Sequence, residues 1–265
     1  MTQQPHENKH WIEIFRGTWE AQFDPGNLMR LCKALDGQVD RWGREQIVNL
    51  HPGVGARSSD SQLDRLLGGA MAVGLDDFAS QSAQAIAGRF QINHAVSILG
   101  FSRGNRVGHK AALALPELYP YPAELQGGVM LHLDPVSAEG NPYLDDAQLP
   151  HPHYLEKTLV ILAEDERRAA FRPTPVEASP RVETITHKGA HADIGGSTPG
   201  PLADSVLELA LTFLEENGLG VNRPHHLKPD PQGEPIHHPD FLSLWPPRRG
   251  WIRGPRRDLS RFQVA

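Results

Sequence analysis

The chain has 265 residues, a formal net charge of −6, 39% hydrophobic residues and 23 prolines. That length suits one large α/β domain with a sizeable core, or one domain plus a tail, and the acidic balance gives no global reason to expect nucleic acid as a partner. Cys32 is the sole cysteine, which excludes an internal disulfide and a cysteine-based zinc site within one chain and fits folding in the cytoplasm.

Residues 1–10 are polar and lack the apolar core of a cleaved signal peptide. Cytoplasmic synthesis is expected, with any export by a leaderless route. No apolar run reaches the length of a membrane span. Trp11 to Phe15 alternates apolar and polar residues and predicts a first core strand, followed by the turn Arg16-Gly17-Thr18-Trp19. Asn27 to Leu35 puts Leu28, Leu31 and Leu35 on one helical face, with Asn27 as N-cap. Ile47 to Leu50 is a second strand, and His51-Pro52-Gly53-Val54-Gly55 a loop of tight-turn residues. Residues 56–75, broken by Gly68-Gly69 and Gly74, read as irregular: a lid over a site or a plain surface excursion. Asp76 to Phe90 predicts a helix with Phe78, Ala85, Ile86 and Phe90 inward.

The next stretch organises the rest. Ala95 to Leu99 is a short apolar strand, Gly100-Phe101-Ser102-Arg103-Gly104 a Gly-x-Ser-x-Gly turn, and Asn105 to Leu115 a helix. Strand, tight turn and helix in that order form a nucleophile elbow, the α/β-hydrolase device that lifts a serine hydroxyl above the sheet edge. Glycines flank the serine because Cβ atoms there would clash with neighbouring elements. The bland alternative is a glycine-rich turn whose serine merely caps the helix.

Pro116 to Pro122 reads as a loop, Gly128 to Leu133 as a strand ending at Asp134-Pro135-Val136, and 137–157 as loop. Thr158 to Ala163 is a buried strand ending in Glu164-Asp165-Glu166. Val182 to Thr186 is the last strand, leading into a loop that carries His191, and Leu202 to Glu215 is a closing helix. The alternation predicts an α/β-hydrolase-like domain over 11–220, a mainly parallel sheet with helices on both faces. A proline- and arginine-rich tail, 221–265, follows. The tail is locally basic, and its Phe241-to-Arg257 stretch mixes aromatics with arginines, which suits peripheral membrane contact or docking of the tail onto the body. The histidine pairs 225–226 and 237–238, with His151 and His153, lack carboxylates at metal spacing, so neither metal nor cofactor is expected.

A serine nucleophile needs a base and a carboxylate that orients it, in the chain order Ser, acid, His for this fold. Ser102 is the nucleophile, and His191 stands where such sheets deliver the base. Asp134 and Asp165 both follow strands, and either could supply the acid; Asp193 suits pinning the Gly195-Gly196 loop. By fold analogy, the oxyanion donors are the N–H of Arg103 and that of Gly17 or Thr18.

Six blocks together resemble an α/β-hydrolase family of bacterial and fungal proteins that includes phospholipase effectors of type VI secretion. They are Gly17-Thr18-Trp19, Pro52-Gly53-Val54-Gly55, Gly100-Phe101-Ser102-Arg103-Gly104, Asp134-Pro135-Val136, Asp165-Glu166-Arg167-Arg168 with Phe171, and Gly189-Ala190-His191-Ala192-Asp193-Ile194-Gly195-Gly196. Departures fall at Arg16, Glu20, Asn105, Ser197 and Thr198, where the family pattern has other residues. The resemblance implies His191 as base, favours Asp134 over Asp165 as acid, and implies cleavage of carboxylic esters, above all phospholipid acyl esters. It also implies a secretion-apparatus or immunity partner. Arg16, Glu20 and the tail motivate the alternative, a binding protein on a hydrolase scaffold.

Overall fold

The computed structural model describes residues 8–17, 26–53, 74–120, 125–136, 148–168, 171–197, 199–233 and 259. Strands β1 (Lys9–Phe15), β2 (Glu45–His51), β3 (Ala95–Phe101), β4 (Gln126–Leu133), β5 (Lys157–Ala163) and β6 (Val182–His187) form one sheet in the order β2-β1-β3-β4-β5-β6. Every pairing is parallel. β3 is buried at each position, which is why it reads as a continuous apolar run rather than an alternating one.

Helices α1 (Asn27–Leu35) and α5 (Pro201–Glu216) cover one face, α2 (Leu75–Ala87) and α3 (Gly104–Leu118) the other, and the short α4 (His191–Gly195) follows β6. Side chains alternate along the strands to feed both layers. Ile12, Ile14, Leu99 and Leu131 pack with Leu28, Leu31, Val206 and Leu211. Phe15, Val96, Ile98 and Met130 pack with Ala83, Val107 and Leu115. The chain winds outward from β1 to β2, then returns past β1 to β3. The strand order thus reverses at β1 and β3, and the crevice outside their carboxyl ends is the place such sheets offer a ligand. This is the α/β-hydrolase arrangement expected from the sequence.

Three local expectations are corrected. Asn27 is not an N-cap: Gly26 holds that position and no side chain caps the helix. Asn27 is instead the first helical residue, fully buried, and its Nδ2 donates to Ile194 O at 3.1 Å and Ala203 O at 3.0 Å, tying α1 to α4 and α5. α3 does not stop before Pro116 but runs through it to Leu118. Proline cannot give the N–H that would bond the Ala112 carbonyl; the Tyr154 hydroxyl donates to that oxygen at 3.0 Å instead. His191 opens a helix rather than sitting in a loop.

Val221 and Leu227 pack on the first core layer, and Leu259 on Val160 and Leu162. The 54–73 stretch, where a lid or excursion was expected, and residues 234–258 lie outside the described residues. No helix among the described residues is long and apolar enough to cross a membrane.

Candidate active site

The turn after β3 holds Ser102 at φ 58°, in the left-handed region. A side chain there costs about 1–3 kcal/mol unless the surroundings enforce it. They do: the Ser102 N–H donates to Leu133 O at 3.1 Å, and its carbonyl accepts the Val136 N–H at 3.5 Å, both from the end of β4. A Cβ on Gly100 would lie 2.6 Å from Asn105 Oδ1, and one on Gly104 2.3 Å from the Arg16 carbonyl oxygen, so the elbow can close only with glycine on both sides. The first turn abuts the nucleophile, since a Cβ on Gly17 would stand 3.1 Å from Ser102 Cβ. Arg103 is the N-cap residue of α3. Thr18, the other candidate oxyanion donor, lies outside the described residues.

Asp134, fully buried beyond β4 at φ 36°, accepts the Ala163 N–H on Oδ1 at 2.9 Å. Its Oδ2 stands 2.5 Å from His191 Nδ1. A proton on Nδ1 shared with this carboxylate leaves the lone pair on Nε2. Phe101, the neighbour of Ser102, stacks on the His191 ring at 4.5 Å, and Phe171 meets it edge-on at 4.8 Å. Burial lowers the His191 pKa below 6.5 against the upward pull of Asp134, so the imidazole is neutral at neutral pH. Asp165 does different work: its Oδ2 accepts the Gly189 N–H at 3.0 Å and its own N–H donates to Gly189 O at 2.9 Å, bracing the turn before His191. Asp193 Oδ2 accepts the Ala190 N–H at 2.8 Å, closing the start of α4.

Patterning does not reveal Glu166. This buried carboxylate accepts the His191 backbone N–H at 3.2 Å, the Arg168 N–H at 2.7 Å, and Arg168 Nε and Nη2 at 2.9 and 2.7 Å. Burial alone would raise its pKa, but Arg168 holds it down at about 2. Arg168 in turn lies 3.6 Å over the Phe171 ring. Behind the elbow, Asn105 Oδ1, His132 and His109 run as a buried chain at 2.9 and 3.2 Å, ending on the Pro150 carbonyl at 2.8 Å from His109 Nε2. Asn105, a departure from the family pattern, is the residue that starts this chain.

A hydrogen-bonded Ser-His-Asp array occurs elsewhere, at Ser97, His10 and Asp40. His10 Nδ1 stands 3.0 Å from Asp40 Oδ2, and His10 Nε2 2.9 Å from Ser97 Oγ, which also accepts the Val129 N–H at 3.0 Å. Ser97 and His10 have no exposed surface and lie within the sheet, away from the strands' carboxyl ends, so no substrate can meet Ser97. The array satisfies the ladder where the β3–β4 register shifts between Val96 and Ile98. Among the described residues, no group of histidine, cysteine and carboxylates could hold a metal ion.

Residues 9–107, from β1 into α3, match the family model described as "T6SS, Phospholipase effector Tle1-like, catalytic domain". The resemblance carried by the motifs is to that family. No curated protein matches the chain in sequence. Among solved structures, an uncharacterized protein from Pseudomonas aeruginosa is 16% identical with a TM-score of 0.55, over 84% of this chain and 48% of that one. The Tle1 effector bound to the VgrG spike of the Type 6 secretion system is 17% identical with a TM-score of 0.48, over 74% and 53%. Thermogutta terrifontis esterase 2 is 17% identical with a TM-score of 0.43, over 84% and 89%. The chain spans about half the length of the first two. At 16% identity the likeness to the first of these is one of fold.

Proposed function

We propose that the chain is a serine hydrolase of carboxylic esters, phospholipid acyl esters above all, with Ser102 as nucleophile, His191 as general base and Asp134 as the acid that orients it. The observation that carries this reading is the 2.5 Å contact of Asp134 Oδ2 with His191 Nδ1, at the same sheet edge as the strained Ser102. His191 Nε2 takes the proton as Ser102 Oγ attacks the ester carbonyl. The N–H of Arg103 and that of Gly17 or Thr18 receive the oxyanion. The alcohol leaves with the proton from Nε2, and water repeats the sequence on the acyl-enzyme to release the fatty acid. Asp134 stabilises the imidazolium that forms twice in the cycle.

The lipid substrate is supported by the family description that residues 9–107 match, not by the geometry. The same description supports delivery by a type VI apparatus, and an immunity protein is a partner implied by the motif resemblance alone. The experiment is a fluorophosphonate probe followed by a panel of soluble esters and diacyl phospholipids. Labelling and turnover that vanish in Ser102→Ala support the hydrolase. A protein that takes no label and cleaves no ester is a binding protein on this scaffold.

A further inference from the structure

Outside the candidate site, a cavity of about 470 Å³ opens between the outer side of α1 and the first turn of α5. Arg30 and Lys33 of α1 line it, with His226 and Lys228 from the segment that crosses after α5. Its acid is Asp204, whose two oxygens are already taken: Oδ1 by Arg30 Nη2 at 2.5 Å and Oδ2 by the Lys228 N–H at 2.8 Å. Lys33 and Lys228 are exposed, and neither ammonium makes a hydrogen bond or ion pair with a described residue. Two ammonium groups thus stand over a neutralised Arg30–Asp204 pair on a protein whose net charge is −6.

The place matters as much as the charge. Helices that follow parallel strands begin at the strands' carboxyl ends. Asn27, one turn before Arg30, bonds the Ile194 carbonyl of α4, the helix that His191 opens. The Arg30 and Pro201 side of the cavity therefore lies toward the same end of the molecule as Ser102, with Lys33 further along α1. Ammonium groups bind phosphate as point charges, and each lysine close to an anionic membrane strengthens attachment about fivefold.

We infer that this cavity receives the headgroup phosphate of an anionic lipid and so seats the carboxyl end of the sheet on a negatively charged membrane. The inference rests on the reading of Ser102 as acting on membrane-borne esters, but its test does not need turnover.

The test uses the full chain carrying Ser102→Ala, so that vesicles stay intact. Flotation is measured with phosphatidylcholine vesicles, with and without phosphatidylglycerol. Removing both charges by Lys33→Gln and Lys228→Gln should weaken binding to the anionic vesicles about thirtyfold. Lys33→Glu with Lys228→Glu should abolish it. The same lysine substitutions in the Ser102 protein should leave hydrolysis of a soluble ester unchanged. Anionic-vesicle affinity unaffected by either pair overturns the inference. So does binding of glycerol phosphate at the lysines by a protein that ignores vesicles, which would mark a site for a free phosphate ester. Failure of the hydrolase reading would show separately, as no ester turnover by the Ser102 protein.

Discussion

Glu166→Gln removes one negative charge and almost no volume from beneath His191. The carboxylate is 3% exposed, so solvent screens it little. Its pKa is held at about 2 against an ordinary 4.5. That depression corresponds to ~3 kcal/mol of native-state stabilisation at neutral pH, an upper value for a glutamine that keeps one acceptor. At about 2–4 °C per kcal/mol for a body of this size, Tm should fall by up to roughly 6–12 °C at pH 7. A carboxylate with a depressed folded pKa stabilises fully above its unfolded value and loses that contribution as pH falls through the folded one. The gap between wild type and variant should therefore be widest above pH 4.5 and close as pH approaches about 2. Denaturant melts across that range read it directly. A gap of the same size at both ends of the range would refute the charge argument and leave only a shape effect.

Ser97→Ala leaves His10 Nε2 and the Val129 N–H without their buried partner. It should cost about 1–3 kcal/mol in denaturant unfolding while leaving fluorophosphonate labelling intact, which separates the structural array from the proposed catalytic one. Gly104→Ala drives a methyl to 2.3 Å from the Arg16 carbonyl oxygen. The elbow would have to open, so labelling should be lost together with several kcal/mol of stability, on the order of a badly overpacked core position. Because burial lowers the His191 pKa, the neutral base persists on acidification, and the acid limb of kcat/KM against pH should turn below 6.5. A limb that turns above 6.5 would mean that the Asp134 contact, not burial, governs this imidazole.

The elbow is legible in the sequence because each requirement is local: an apolar strand, two glycines within four residues of each other, and a helix directly after. The parallel strands are legible for a similar reason: β3, β4 and β5 carry short apolar runs, and β1 and β6 alternate apolar with polar residues. What depends on residues far apart is not. Asp134 and Asp165 both follow strands, and only the packing of β4, β5 and α4 puts one against His191 Nδ1 and the other against Gly189. Asn27 fits a capping rule by type, yet the approach of α4 and α5 buries it for other bonds. Pro116 fits a stop signal, yet Tyr154, distant in sequence, answers the carbonyl that the proline abandons. The array of His10, Asp40 and Ser97 spans 87 positions of chain, and nothing in the spacing announces it.

The most direct test is the steady-state rate of Asp134→Asn on a soluble ester, measured beside Asp165→Asn with both proteins shown to be folded. The account predicts that Asp134→Asn lowers kcat by about 10³–10⁴, the loss expected when the base has no carboxylate to orient it, while Asp165→Asn stays within about tenfold of wild type because its Oδ2 braces the Gly189 turn. The reverse order, or equal and modest losses in both, would contradict it.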